Sequence, residues 1–167
     1  MKRTPFDKSR HERFDTIGKR LGKSLLDFLY GKSRRYTVQP IVELKKCGDI
    51  SVLDLDTEKL HWFEIETRSN KHFEMNFNKK YASLDIPTKK FQTIQEGTYF
   101  VFDENEEFNE SVPKRFMSVK ISDILKFEPT PKFTKFNKSE KEYFYNVPYD
   151  FVKFYTWNES KNEYAEN

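Results

Sequence analysis

From His11 to Tyr30 the apolar positions Phe14, Ile17, Leu21, Leu25, Phe28 and Leu29 recur at intervals of three and four. That spacing lines one face of an α-helix. Gly31 is suited to stop it. Gly18 and Gly22 lie inside the pattern, each costing about 1 kcal/mol relative to Ala, which points to close approach of another backbone. The period then changes. "RRYTVQPIVELKK" reads as a strand, with Pro40 marking an edge, a bulge or a boundary. "DISVLDLD" alternates apolar and polar, "TEK" turns, and "LHWFEIETR" returns, which predicts a β-hairpin. "KYASLDIPTKKF" holds a further short strand. "EGTYFVFDENEEFNESVPKRFMSVKISDIL" predicts two strands around a long acidic loop, then a short helix with Ser122 as N-cap.

After Glu128 the character shifts. "EPTPKFTKF" reads as an extended connection. "YFYNVPYDFVKFYTW" is too aromatic for free disorder and is expected to pack on the sheet or on another molecule. The expected organisation is a basic arm over residues 1–10, a domain over 11–128 and an aromatic, charged extension over 129–167. Hydrophobic residues are 36% of the 167, but 17 Phe and 9 Tyr make a modest core feasible. The single Cys47 excludes an intrachain disulfide framework and a multi-Cys zinc module. The opening "MKRTPFDKSRHERF" has no apolar h-region and no apolar run approaches a membrane span. The expectation is a soluble, cytoplasmic protein, in the host cytoplasm if phage-encoded.

Charge is unevenly spread. Residues 1–48 carry 13 Lys and Arg against 5 Asp and Glu, whereas the remainder carries 17 against 22. A basic N-terminal third suits a phosphate backbone, and equally solvates a small domain. The candidate phosphate contacts are Lys19, Arg20, Lys23, Arg34 and Arg35 around the helix and its exit, then Arg68, Lys79 and Lys80, with Lys89 and Lys90 further on.

Within the hairpin, residues two apart share a face. Glu64 and Glu66 therefore point the same way as Leu60, Trp62 and Arg68, while His61, Phe63, Ile65 and Thr67 face a core. Asp49, at the start of the partner strand, is expected near them. Converging carboxylates suit a hard divalent cation such as Mg²⁺, which can activate water for phosphodiester cleavage. The plain alternatives are an ordinary turn residue at Asp49 and a solvated sheet face at Glu64 and Glu66. His11, His61 and His72 form no spaced ligand set, and Cys47 reads as a buried structural thiol.

The order helix, strand, Asp-led strand, then a strand ending where the family has acid–x–Lys resembles the PD-(D/E)XK nuclease superfamily over roughly Glu12 to Leu125. "GD" at Gly48–Asp49 matches the family's "PD" step, and "FEIETR" matches its acidic step with Glu64 as the acid. The resemblance implies an α/β (α+β) fold, restriction-endonuclease-like, with a central mixed β-sheet flanked by helices. It implies Mg²⁺ or Mn²⁺ on Asp49, Glu64 and Glu66, and a helical acid, Glu12, assisting. Glu66 stands where the family has Lys. In another register Glu66 is the acid and Arg68 replaces the Lys; Arg holds its proton too firmly to be a general base but could stabilise charge. A lysine from elsewhere, Lys71, Lys79 or Lys80, could fill the role.

Three functions follow as expectations. The first is a metal-dependent endonuclease acting on nucleic acid, with DNA the expected substrate. The second is a catalytically inactive nuclease-like fold that binds nucleic acid. The third is a protein-interaction module of a phage or mobile element, with a homodimer or a protein partner contacted through the C-terminal extension.

Overall fold

The structure, a computed structural model, describes residues 8–39, 49–91, 94–106, 112–133 and 141–167, with the side chains of 8–15 and 133 left aside. Residues 1–7 of the expected arm, the Glu12 side chain, Pro40, Cys47, Gly48 and the second half of the acidic loop lie outside the described residues, whereas residues 8–10, expected in the arm, begin α1.

The predicted helix is α1, Lys8–Tyr30. Two strands follow as a meander: β1, Tyr36–Val38, and β2, Ile50–Asp54, antiparallel to it. β3, Lys59–Arg68, completes the predicted hairpin with β2. Asp54 closes that turn by accepting the backbone N–H groups of Asp56 and Thr57, and Glu58 takes a positive φ of 59°.

Next comes α2, Asn70–Phe77, which periodicity did not predict. Its apolar residues Phe73, Met75 and Phe77 alternate, the pattern of a strand. The helix forms because Phe73 and Asn76 turn inward together, at 0% and 1% exposure. β4, Leu84–Pro87, is the predicted short strand, and it leads into a 3-10 turn over Thr88–Phe91. β5, Thr98–Asp103, and β6, Arg115–Lys120, flank the acidic loop as read. α3, Ile121–Ile124, has Lys120 rather than Ser122 at its N-cap position, with no side-chain cap. Ser122 lies inside the helix because the buried Ile121 and Ile124 fix its phase.

The segment read as an extended connection supplies β7, Thr130–Phe133. Pro131 is tolerated there because β7 is an edge strand. β8, Lys141–Val147, β9, Lys153–Asn158, and β10, Glu163–Glu166, complete the chain.

Among the described residues the strands form a seven-stranded sheet, ordered β1-β2-β3-β5-β6-β9-β10, and a three-stranded sheet, β4-β8-β7. β3 and β5 run parallel, joined through α2 and β4; the other neighbours are antiparallel. The molecule is therefore mixed α/β with a mixed sheet and few helices.

Both faces of the large sheet are covered. On one, Leu21, Leu25 and Leu26 of α1 pack on Ile50, Val52, Phe63, Ile65, Phe100 and Phe102. Gly18 and Gly22 make this approach possible: a Cβ at Gly22 would collide with Ile65, and one at Gly18 with Thr67. On the other face, Tyr99, Val101, Met117, Val119 and Phe154 pack against Phe73 of α2, Leu84 and Ile86 of β4, Ile121 and Ile124 of α3 and Val147 of β8.

Candidate functional site

β3 presents Trp62, Glu64, Glu66 and Arg68 to the face opposite α1, as the alternation predicted. From Glu64 to Arg68 that face is largely covered rather than solvated. The Glu64 side chain is 12% exposed, Glu66 19% and Arg68 12%.

The paired register ends with Ile50 opposite Phe63, and Asp49, the residue before it, is held along the Phe63–Ile65 stretch of β3 that contains Glu64. Two bonds fix it there. Its backbone N–H donates to the Phe63 carbonyl at 3.0 Å, and its Oδ2 accepts the Ile65 N–H at 2.8 Å. The carboxylate thus continues the ladder where the β2 backbone ends.

Glu64 meets a cation that the sequence offered as a phosphate contact and not as the relocated lysine. Lys90 Nζ, on the 3-10 turn before β5, lies 3.8 Å from Glu64 Oε1. Lys71, Lys79 and Lys80 were the expected sources of a relocated lysine; the structure brings Lys90 instead. Nothing in the sequence distinguishes Lys90 from its neighbours, because the approach depends on the crossover from β3 to β5.

Glu66 belongs to a different cluster. Arg68 Nε and Nη2 donate to its two oxygens, each at 3.2 Å. Arg68 also donates to Asn76 Oδ1 at 2.8 Å and to the Asp85 carbonyl. Asn76 in turn donates to the Tyr149 hydroxyl at 3.2 Å. These bonds explain a buried Asn on the inner face of α2. Beside them, Arg115 lies over the rings of Phe73 and Phe77, bonds Glu74, and reaches Asp103 at 3.6 Å. The Arg115 bond holds the Glu74 carboxyl below its ordinary pKa, against the opposing effect of burial. Asp85 is pushed up by burial but held below its ordinary value by Lys132, Ser83 and Asn146 together.

The remaining candidate phosphate contacts are dispersed. Lys19, Arg20 and Lys23 ride on α1, which covers the sheet face opposite to Glu64. Lys23 pairs with Asp27 at 2.7 Å. Arg34 is exposed, whereas Arg35 makes a two-pronged bond to Asp54 at 3.0 and 2.9 Å. That guanidinium holds the Asp54 carboxyl far below the usual carboxylate range. Lys79 sits over the Phe154 ring at 5.1 Å and Lys80 is exposed. His72 and Tyr81 share a 2.7 Å bond at the surface.

Among the described residues no three His, Cys, Asp or Glu side chains form a group that could hold a metal ion. The site's carboxylates are the Asp49–Glu64 pair, hard oxygen donors that suit Mg²⁺ or Mn²⁺ only with water or phosphate oxygens completing the shell. Tyr99, which pairs with Glu64 in the β3–β5 register, carries a buried hydroxyl with no hydrogen-bond partner. No helix among the described residues is long and apolar enough to cross a membrane. No protein-family model, curated protein or solved structure matches the chain.

Proposed function

We propose that this protein is a metal-dependent endonuclease of PD-(D/E)XK type, with a restriction-endonuclease-like core formed by α1, β1, β2, β3, α2 and β5. The observation that carries the reading is Asp49, just before β2, bonded to Phe63 and Ile65 on either side of Glu64 on β3, in a mixed sheet preceded by a helix. Asp49 and Glu64 would hold Mg²⁺ or Mn²⁺, which would neutralise phosphate charge and supply an activated water. The Ile65 N–H orients Asp49. Lys90, rather than a residue two along from Glu64, offers the ammonium group to the substrate phosphate. Glu66, held by Arg68, braces the far end of the same strand.

Cleavage of nucleic acid in Mg²⁺ or Mn²⁺ tests this directly. Asp49→Asn and Glu64→Gln keep the shapes and the Ile65 bond while removing charge. Each is expected to lower the cleavage rate by about 100-fold or more, equivalent to about 2.7 kcal/mol of barrier. Absence of cleavage by the unsubstituted chain on duplex, branched and single-stranded substrates with both metals would refute it.

A second reading rests on one feature: Glu64 and Glu66 each already face a cation, Lys90 and Arg68. A charge-balanced face needs no metal, which favours a nuclease-like fold that binds nucleic acid without cutting it. Binding that weakens steeply with salt and ignores metal, without cleavage, would select this reading.

A further inference from the structure

The stretch of β3 that precedes Glu64 differs from the rest of that strand. β5 joins β3 only from Phe63 onward, where Phe63 pairs with Thr98. Upstream, Lys59 to Trp62 pair with β2 alone, as the hairpin runs out past the end of β5. Gly97 closes that corner with a φ of +126°, and a Cβ there would collide with the Trp62 carbonyl. The corner is therefore kept narrow beneath Trp62, and the side chain of Trp62 stands at the rim.

Trp62 is half-buried and shares its face with Glu64, about 7 Å along the strand. One side of it packs against the core between the sheets. Among the described residues its indole stacks on no other aromatic ring. The second tryptophan behaves differently: Trp157 is enclosed edge-on by Phe28 at 5.2 Å and Tyr164 at 5.0 Å. Beyond Trp62 on the same face lies Leu60, at 45% exposure. Beside Glu64 lies Lys90, and next to it the exposed Lys89. The rim thus runs from an apolar residue, through an indole, to an acid with the Lys90 ammonium beside it.

We propose that this rim receives single-stranded nucleic acid, with an unpaired base stacked on Trp62 and the adjoining phosphate met by Lys90. The inference rests on the nucleic-acid reading above and adds a substrate class to it. An indole can stack only on a base whose π-face is open, and in a duplex each face is already taken by the next pair. Stacking of this kind tolerates any base. Lys90, 3.8 Å from Glu64 with its side chain 31% exposed, is within reach of a backbone phosphate that enters beside the acid. An apolar and aromatic rim next to a cation fits a strand with its bases turned outward better than it fits a rigid duplex.

The two tryptophans make the test direct. In the full chain carrying Trp157→Phe, the remaining fluorescence comes from Trp62. Titration with oligo(dT), oligo(U) and a duplex of the same length, without divalent metal, is expected to show quenching by the single strands and little by the duplex. The tighter of the two single strands names the preferred sugar. Fluorescence anisotropy of labelled oligonucleotide gives the affinity independently. In the unsubstituted background, Trp62→Ala is expected to weaken single-strand binding about tenfold, and Trp62→Phe much less. Circular dichroism confirms that each variant is folded, and Trp62→Phe keeps the test open should Trp62→Ala unfold. Single-strand binding without quenching of Trp62 would overturn the proposal, as would equal quenching by duplex. Cleavage or binding confined to duplex overturns it while leaving the endonuclease reading intact. Failure to bind any nucleic acid overturns both.

Discussion

The two faces of β3 show how one strand can do two jobs. Toward α1 it offers Phe63 and Ile65 to three leucines, and the glycines of the helix bring the layers together. Toward α2 and the small sheet it offers Trp62, Glu64, Glu66 and Arg68: Glu64 faces Lys90, Arg68 reaches Asn76 of α2, and Glu66 is bound by Arg68 on the same strand. The first face is non-directional, so its stabilisation scales with buried area. The second is directional and depends on every member of its network being present. A face of the second kind is costly to leave incomplete, and it is the face that carries Glu64.

The contrast can be broken experimentally. The largest effect is expected on the charged face. Arg68→Ala leaves Glu66 and Asn76 without their donor in a region of low exposure, and should destabilise the fold by about 3–5 kcal/mol in urea unfolding. On the apolar face, Leu25→Ala removes a fully buried side chain and should cost about 2–5 kcal/mol. An Arg68→Ala cost well below that of Leu25→Ala would mean that the charged network contributes little and that the apolar layer alone sets stability.

The smallest effect sharpens the comparison at its exception, the acid buried on the α1 side. Asp54 has a carboxyl pKa lowered chiefly by its bond to Arg35. A depressed carboxylate contributes stability above its unfolded value, about 3.9, and loses that contribution as pH falls toward the folded value. The difference in melting temperature between the unsubstituted chain and Asp54→Asn should therefore hold steady from pH 7 to pH 5 and shrink below about pH 4. A difference that stays constant down to pH 2 would show that folding does not lower the Asp54 pKa.

Much of this arrangement was legible in the chain. Helical spacing from Phe14 to Leu29 gave α1, and strict alternation gave the hairpin and the shared face of Glu64 and Glu66. Local period is enough for such elements because each buries one side. α2 was not legible, since Phe73, Met75 and Phe77 alternate like a strand and only the tertiary bonds of Asn76 reveal the helical phase. Nor was the small sheet, because β4 finds its partner β8 some sixty residues later. The candidate site divides in the same way. Asp49 beside Glu64 follows from a hairpin register, a local property. Lys90 beside Glu64 follows from a parallel crossover, which no local period encodes.

The pairing of β4 with β8, and of β6 with β9, also sets a timetable. During synthesis α1 and the β2–β3 hairpin can find each other early, since their contacts are close in sequence. β4 has no strand to pair with until β8 has left the ribosome, and β6 stays a bare edge until β9 arrives. The layer that covers Glu64 and Glu66 is therefore the last to close, and slow, long-range pairing of this kind is where a nascent chain is most exposed to aggregation. Removing residues 129–167 would halt the chain at that unfinished stage rather than trim an appendage.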